Sequence, residues 1–292
     1  MLEAYKNKMH TFMGPKSVDW LNELESLIDY ASTKWQLSNL TPMDLSYNYV
    51  CSGYSEIYGH IVLKICLPGK EFQTEYHALT ELNNMVSLLD SDYDRRILLL
   101  NRLLPGKTLW SVSGIQNRLD IATKLISDTP TKLYKSDYPE HKQWIDKIYT
   151  FTKEHFKNHR LLEHLELVLS LYPTLNVEGN QIMLLHGDLH HGNILSSDAW
   201  AVIDPKGVIG HRSLEVGRYM NNQIQEDLVF DVCLEQMVES FSSALMLDEK
   251  IIILSFYIDM VLSTSWFLED HEIDEDMLNK KIKICDLIKE KL

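Results

Sequence analysis

The chain has 292 residues and a formal net charge of −14, and it is 45% hydrophobic and 24% charged. This composition is typical of a folded globular protein with one large domain or two smaller ones, and it excludes a largely disordered chain. The acidic balance disfavours nucleic acid or an anionic membrane as a partner, because both bind through clustered Lys and Arg side chains. A cationic small molecule fits the charge better, although a negative charge also simply keeps proteins soluble.

The cysteines and the apolar segments favour a cytoplasmic protein. The four cysteines lie far apart and form no CxxC pair, so we expect reduced thiols. Residues 1–14 show no features of a secretory signal. The most apolar stretch, 251–268, contains Asp259 and several hydroxyl residues, which predicts a buried core helix and not a membrane span.

The first third of the chain alternates between helical and strand-like patterns. Apolar residues at helical spacing predict a helix over 18–35. Segment 45–66 is rich in Tyr, Val and Ile and is interrupted by glycines, which predicts two or three antiparallel strands, the clearest over 61–66. Helical spacing returns over 71–89, and 97–100 predicts another short buried strand.

Beyond Gly106 the pattern is mostly helical to the last residue, and only the segment 183–210 interrupts it. We find no internal repeat and no low-complexity linker. A β-rich first third followed by a helical remainder predicts an α+β protein with two lobes that meet near 101–106.

The interrupting segment concentrates polar side chains that suit phosphoryl transfer. Asp188, Asn193 and Asp204 carry oxygen atoms on short loops, and apolar runs on either side would hold these loops in place. Phosphoryl transfer needs one carboxylate to orient the attacking hydroxyl and accept its proton. It also needs a carboxylate and an amide oxygen for magnesium, which prefers oxygen ligands. Positioning and charge neutralisation supply most of the catalysis.

The same segment resembles the active-site loops of known kinases. The sequence HGDLHHGN at 186–193 resembles the catalytic loop of protein kinases, and IDPKG at 203–207 resembles the metal-binding segment that follows it. The fuller runs are similar to the aminoglycoside phosphotransferase family, and within it to the streptomycin 6-phosphotransferase and hydroxyurea-type resistance kinase group. The resemblance extends over about 47–270.

This resemblance implies a protein-kinase-like bilobal fold. Residues 1–100 would form a small antiparallel-sheet lobe that binds the nucleotide, 101–106 the hinge, and 107–292 a larger helical lobe with the catalytic and acceptor sites. It also implies ATP or GTP as the phosphate donor and Mg²⁺ as the metal.

The resemblance assigns roles to four residues of the dense segment. Asp188 would be the catalytic base, and Asn193 and Asp204 would be the magnesium ligands. His186 would be a structural support for the loop. His190 and His191 are expected to have no catalytic role.

A lysine and a glutamate in the first lobe complete the expected donor site. Lys64 interrupts an apolar strand, so its burial would be costly without a counter-charge or a phosphate. Glu75 lies beside the buried stripe of the following helix. In the family such a pair orients the α- and β-phosphates. The alternative for Lys64 alone is a charged residue that protects a sheet edge.

Two further parts of the donor site depart from the family pattern. Segment 98–106 resembles the hinge, so Asn101 and Leu103 are expected beside the nucleotide base, but Asn101 stands where an acidic residue is usual. The preference between ATP and GTP therefore stays open. No GxGxxG loop precedes the strand, and Ser46 and Asn48 are expected to cover the phosphates instead.

The acceptor site is expected on the helix predicted near the C-terminus. Its residues Asp259, Ser263, Trp266 and Asp270 share one helical face, and 265–270 resembles a segment near the substrate pocket of streptomycin kinases. Carboxylates suit guanidinium or ammonium groups, and an indole offers a flat face to a sugar or a cation. The expected acceptor-binding residues are Asp188, Asp259, Trp266, Glu269 and Asp270. The expected partner is a cationic small molecule with a hydroxyl group.

Alternatives remain open at this stage. The histidines around Asp188 also resemble binuclear metal hydrolase motifs, but these leave Lys64 and Asn193 unexplained. Gly106-Lys107-Thr108 matches only the end of a P-loop. A metabolic kinase of the same fold, acting on a sugar or a choline-like alcohol, is the first rival function. A nucleotide-binding pseudokinase that serves as an interaction module is the second. The sequence does not indicate an oligomeric state.

Overall fold

The structure, a computed structural model, describes residues 2–43, 47–157, 159–177, 181–226, 230–269 and 274–292. Its helices are α1 (Leu2–Met13), α2 (Ser17–Lys34), α3 (Lys70–Glu81), α4 (Ile115–Asp128), α5 (His141–His155), α6 (Arg160–Leu171), α7 (Ser213–Glu226), α8 (Phe230–Leu245), α9 (Glu249–Trp266) and α10 (Glu275–Lys289). Its strands are β1 (Leu37–Pro42), β2 (Tyr49–Ser55), β3 (Gly59–Ile65), β4 (Leu88–Asp92), β5 (Ile97–Asn101), β6 (Ile182–Leu185), β7 (Ile194–Ser196), β8 (Trp200–Val202) and β9 (Val208–His211).

The first five strands form an antiparallel sheet in the order β1-β2-β3-β5-β4. Side chains alternate between its two faces, so Ile61, Leu63 and Ile65 of the central strand β3 pack with α1 and α2. The opposite face of β3 packs against α3, and Lys64 lies on that face. The alternation along β3 therefore directs one charged side chain toward the helix that carries Glu75.

The α+β architecture is confirmed, with two local corrections. The helix predicted over 71–89 ends at Glu81, because Asn83 and Asn84 break it. The Asn83 amide and N–H donate to the backbone oxygens of Asp128 and Thr129 at the end of α4, and Asn84 adopts a left-handed φ of 56°. The remaining residues extend into β4. Helix α1 and strand β1 lie in segments for which the sequence predicted no element.

The helical region is built around α9, and the sequence predicted a buried core helix over 251–268 of this segment. Residues of this helix are buried on all sides, which explains why its sequence is apolar without a polar face. The segment Glu249–Glu269 is long and apolar enough to cross a membrane by length and composition, but 72% of its most apolar window is buried inside the protein. It is therefore the core helix of this region.

Two short pairs of antiparallel strands frame the loops that carry the predicted catalytic and metal-binding residues. Strand β6 pairs with β9, and β7 pairs with β8, all antiparallel. The loops between these strands hold Asp188 and Asp204. Both loops therefore emerge from paired, apolar strands that fix their ends.

The close packing of α7 on α9 depends on Gly217. A Cβ atom at this position would lie 2.3 Å from the Ser255 carbonyl oxygen and 3.0 Å from the Phe256 nitrogen, both of them backbone atoms that cannot rotate away. Alanine normally stabilises a helix interior relative to glycine by about 1 kcal/mol. Here steric overlap outweighs that gain, because the two helices would have to separate.

We expect Gly217→Ala to lower the free energy of unfolding by about 1–3 kcal/mol or more, the usual cost of overpacking. Urea unfolding followed by circular dichroism measures this change. The control is Ser243→Ala, since Ser243 is exposed on α8, and a surface substitution should stay within about 0.5 kcal/mol of the parent. A stabilised Gly217→Ala protein would show that helix propensity dominates at this contact.

Candidate active site

The loop between β6 and β7 holds Asp188 in a fixed backbone geometry. Gly187 has a φ of +80°, and a Cβ there would lie 2.8 Å from Val208 Cγ1 and 3.2 Å from Trp144 Cη2, so only glycine fits. The buried His186 donates from Nε2 to the Ile203 carbonyl (2.9 Å) and accepts the Asp188 N–H at Nδ1 (3.1 Å). Burial lowers the pKa of His186 to about 4, so the imidazole is neutral and braces the loop.

The remainder of the loop is held by an amide and a ring stack. Asn193 donates from Nδ2 to the Asp188 carbonyl (2.9 Å). His191 is buried between the rings of Trp110 and Tyr219, with centroid distances of 3.9 and 4.2 Å. These contacts pack His191 into the loop, and the absence of a catalytic role stays a prediction.

Asp204 lies next to this loop at the end of β8. The Asn193 carbonyl accepts the Ile203 N–H (2.9 Å), and the His186 carbonyl accepts the Lys206 and Gly207 N–H groups (2.8 and 3.1 Å). Asp204 itself adopts a left-handed φ of 60°, a conformation that aspartate tolerates better than most non-glycine residues. The structure thus brings the two predicted magnesium ligands, Asn193 and Asp204, onto adjoining loops.

Lys64 joins the sheet to this region, which removes the sheet-edge alternative. It is buried on the central strand, its Nζ lies 2.5 Å from Glu75 Oε1, and it also contacts Asp204 Oδ1. Burial alone would lower the pKa of Lys64, but the two carboxylates raise it above its ordinary value. Lys64 in turn lowers the pKa of Asp204. Both groups are therefore charged at neutral pH.

The predicted base and phosphate contacts are only partly described. The Asn101 N–H donates to the Ser87 carbonyl (2.9 Å), so this N–H is already engaged and is not left for a nucleotide base. Asn48 accepts the Leu67 N–H at Oδ1 (3.0 Å), which braces the turn before β2. Ser46 lies outside the described residues. The nucleotide-binding roles of these residues stay predictions.

A cavity of about 1060 Å³ opens beside Asp188. Its lining includes four residues predicted to bind the acceptor: Asp188, Asp259, Trp266 and Glu269. The fifth, Asp270, lies outside the described residues. Lysines 70, 135, 147 and 206 also line the cavity, so its charge is mixed and not uniformly acidic.

Asp259 differs from the open carboxylate that the sequence pattern suggested. Its side chain is buried, and Oδ2 accepts a hydrogen bond from Asn221 Nδ2 (2.6 Å) and lies 3.7 Å from Arg218 Nη1. Ser263, on the same helical face, also accepts from Asn221. This carboxylate is partly neutralised before any ligand arrives, so Glu269 is the more accessible acid of the pair.

Sequence reasoning missed three residues at the site. Arg218 contacts Asp188 directly, and Trp144 lines the cavity beside Trp266, with ring centroids 6.2 Å apart. Glu215 accepts the Gly187 N–H at Oε1 (3.1 Å), and burial raises its pKa to about 7. Glu215 lies within the region 47–270 that resembles the resistance kinases, so the resemblance could have identified it. For Trp144 no sequence signal exists.

The donor set fits a magnesium ion. Because the amide nitrogen of Asn193 is bonded to the Asp188 carbonyl, its oxygen is left to act as a ligand. Asp204 supplies a carboxylate kept ionised by Lys64. Magnesium is commonly held by one or two such protein oxygens together with substrate phosphates. Among the described residues, no group of three or more His, Cys, Asp or Glu side chains could hold a metal, so the binuclear hydrolase alternative has no support there.

Comparison with solved structures confirms a protein-kinase-like phosphotransferase fold. The choline kinase LicA from Streptococcus pneumoniae has a TM-score of 0.70 at 16% identity, covering 92% of this chain and 99% of that one. Amicoumacin kinase hAmiN, solved with AMP-PNP, Ca²⁺ and Ami, has a TM-score of 0.65 at 14% identity. This match covers 91% of this chain and 93% of that one. A type I macrolide 2'-phosphotransferase has a TM-score of 0.57 at 13% identity, and the match covers 88% of this chain and 95% of that one. At these identities the likeness concerns the fold alone.

Sequence comparison narrows the family. Streptomycin 3''-kinase from Klebsiella pneumoniae is 26% identical over 111 residues, which cover 35% of this chain and 39% of that protein. The sequence model of the aminoglycoside/hydroxyurea antibiotic resistance kinases matches residues 73–271. This match covers most of the chain, including the whole segment 182–211, and the protein belongs to the aminoglycoside/hydroxyurea antibiotic resistance kinase family.

Proposed function

We propose that the protein is a cytoplasmic resistance kinase that transfers the γ-phosphoryl group of ATP or GTP to a hydroxyl of a cationic aminoglycoside of the streptomycin type. Family membership gives the reaction class, a kinase reaction. The observation that carries the finer proposal is the cavity that runs from Asp188 to Trp266 and Glu269. A base at one end and an aromatic, acidic wall at the other suit a hydroxyl compound with positive groups.

The donor half of the site supports a nucleotide triphosphate. Lys64, held by Glu75, places a positive charge beside Asp204, where it can bind phosphate oxygens. A magnesium ion bound by Asn193 and Asp204 would neutralise charge on the transferred phosphate. The residues of the chain itself orient the two substrates and exclude water, which is the main requirement of this reaction.

The acceptor half supports a cationic ligand through two features. Trp144 and Trp266 meet edge to face in the cavity wall and offer ring surfaces to a sugar or a cation. Glu269 also lines the cavity and is partly exposed, and Lys147 lies 3.8 Å from it in a solvent-accessible pair. Such a pair is weak, so a ligand guanidinium can compete for the carboxylate.

The paired indoles also favour a second candidate, a choline-like alcohol, because aromatic faces bind quaternary ammonium groups well. In that case the same base would act on a smaller acceptor. The two candidates differ in acceptor only, so one assay separates them.

The test is a coupled nucleotide-hydrolysis assay with purified protein, Mg²⁺ and either ATP or GTP. The acceptor panel contains streptomycin, other aminoglycosides, choline and neutral sugars, with EDTA and acceptor-free reactions as controls. We expect strong turnover with streptomycin or a near analogue, abolished by EDTA, and phosphorylated product by mass spectrometry. Turnover of choline or a neutral metabolite with inert aminoglycosides would refute the resistance proposal and keep the kinase reaction.

A further inference from the structure

Arg218 lies on α7 between two carboxylates of the cavity wall. Its Nε and Nη2 atoms lie 2.8 and 2.7 Å from the same oxygen, Oδ1 of Asp188. Its third nitrogen, Nη1, lies 3.7 Å from Asp259 Oδ2. The guanidinium therefore bridges the expected catalytic base and a carboxylate of the core helix.

Asp259, the second carboxylate that Arg218 contacts, is held in place by its own neighbours. Asp259 is buried on α9, and Asn221, one turn after Arg218 on α7, donates to it (2.6 Å). The close approach of the two helices at Gly217 brings these groups together. Arginine offers donors in a rigid planar fork, so anchoring one side of the fork fixes the direction of the other. Arg218 is thus more constrained than a surface arginine, whose ion pairs are mobile and weak.

The two carboxylate oxygens of Asp188 have different contacts. Oδ1 accepts a hydrogen bond from Arg218 Nε, forms an ion pair with Arg218 Nη2, and lies 3.7 Å from His190 Nε2. Oδ2 has a long contact of 3.5 Å with the Asn193 amide. With Oδ1 occupied, the carboxylate cannot rotate freely about its χ2 torsion, and Oδ2 is the oxygen that remains for a substrate proton.

We propose that Arg218 is a positioning residue that holds Asp188 by Oδ1 so that Oδ2 meets the acceptor hydroxyl. This rests on the proposed kinase reaction. As the acceptor oxygen bonds to the γ-phosphorus, the bond from that phosphorus to its bridging oxygen breaks, and the electron pair leaves with the nucleoside diphosphate. The hydroxyl proton moves to Asp188 Oδ2, while Arg218 keeps its own protons.

The rival explanation is purely structural. A buried carboxylate without a partner is strongly destabilising, so Arg218 could serve only to neutralise Asp259. The two explanations predict different behaviour when Asp259 is made neutral. If neutralisation is the whole role, Asp259→Asn makes the arginine dispensable. If positioning is the role, Arg218 is still needed for catalysis when Asp259 is replaced by Asn.

The test compares Arg218→Met, Arg218→Lys and the double variant Arg218→Met/Asp259→Asn in kcat, KM for nucleotide and thermal stability, at saturating acceptor. We expect Arg218→Met to lower kcat by about 100-fold, the loss typical of a misplaced catalytic group, with KM for nucleotide unchanged. Arg218→Lys should recover part of kcat, since an ammonium can reach Asp188 but cannot bridge both acids. The double variant should regain stability without regaining kcat.

Recovery of kcat together with stability in the double variant would overturn the proposal, as would an unchanged kcat in Arg218→Met. Crystal structures of the parent and of the double variant give a readout that needs no acceptor. We expect the Asp188 carboxylate to rotate or become disordered once Arg218 is gone. An unmoved carboxylate refutes the positioning role even if the acceptor panel yields no substrate, whereas a failed panel with a displaced carboxylate refutes only the proposed acceptor.

Discussion

Asp188→Asn should lower turnover by about 10²–10⁴-fold, the usual contribution of a positioned general base, while nucleotide binding survives. Asparagine has nearly the same shape, but its amide cannot accept the hydroxyl proton as a carboxylate does. The loop should keep its conformation, because its contacts to His186 and Asn193 use the backbone N–H and carbonyl of residue 188. The coupled assay measures kcat, and calorimetry with a non-hydrolysable ATP analogue measures binding.

The matched control is Asp198→Asn, the same chemical change at an exposed position in the β7–β8 turn. Its kcat should equal that of the parent protein. An Asp188→Asn protein that keeps full turnover would remove Asp188 from the chemistry. If it has no measurable effect on biological function while nucleotide still binds, the interaction-module alternative gains support.

Much of the donor site could be predicted because its chemistry is local in sequence. Asp188, Asn193 and Asp204 fall within 17 residues, and short strands connect them. The pairing of Lys64 with Glu75 was predicted from a different argument, namely that each would be buried and in need of a counter-charge. Local spacing and the cost of burial are both visible in a single sequence. The structure places these groups together, and their roles in binding and catalysis stay predictions.

The acceptor side was less predictable because it forms from elements that are far apart in the chain. Trp144 comes from α5 and meets Trp266 at the end of α9. No local pattern links them, and only the packing of the helices brings their rings together. Arg218 illustrates the same limit. The sequence shows an arginine on an amphipathic helix, and only the tertiary contact with Asp188 distinguishes it from a solvated one.

The helical face proposed for Asp259, Ser263, Trp266 and Asp270 shows how spacing can mislead. Spacing of this kind does place side chains on one face, but it does not say which neighbouring element the face meets. Asn221 of α7 bonds both Asp259 and Ser263, so this part of the face packs inside the protein. Asp270 lies outside the described residues. In our proposal the ligand meets mainly the end near Trp266 and Glu269, both of which line the cavity.

Helix α3 ends before the predicted residue 89 for a reason that is local in the sequence. Apolar residues continue at helical spacing beyond Glu81, but the pair Asn83-Asn84 favours a turn, since asparagine bonds the backbone and tolerates left-handed φ. This signal was present in the sequence and was outweighed by the apolar pattern. Its consequence is structural: the Val86 N–H can then donate to the Val202 carbonyl (2.8 Å), which joins the two regions of the protein.

Lys64→Met should be the most destabilising single change at the donor site, with a loss of about 3–5 kcal/mol in the free energy of unfolding, as expected when one partner of a buried pair is removed. Methionine fills similar volume, so the loss comes from charge. Glu75 would be left buried without its cation, whereas Asp204, whose side chain is 41% exposed, would be screened by water. Urea unfolding measures the stability, and calorimetry measures nucleotide binding.

The double variant Lys64→Met/Glu75→Met separates stability from binding. An apolar pair of similar size commonly restores what a broken buried ion pair loses, so unfolding should return toward the parent value. Nucleotide affinity should stay low in both variants, because the cation that meets the phosphates is absent in each.

Lys124→Met, at an exposed α4 position paired with Asp128, is the control and should change stability by less than about 0.5 kcal/mol. A Lys64→Met protein as stable as this control would mean that the buried pair contributes little. Recovered stability with parent-like nucleotide affinity in the double variant would instead remove Lys64 from the phosphate site and confine it to the packing of α3 on the sheet.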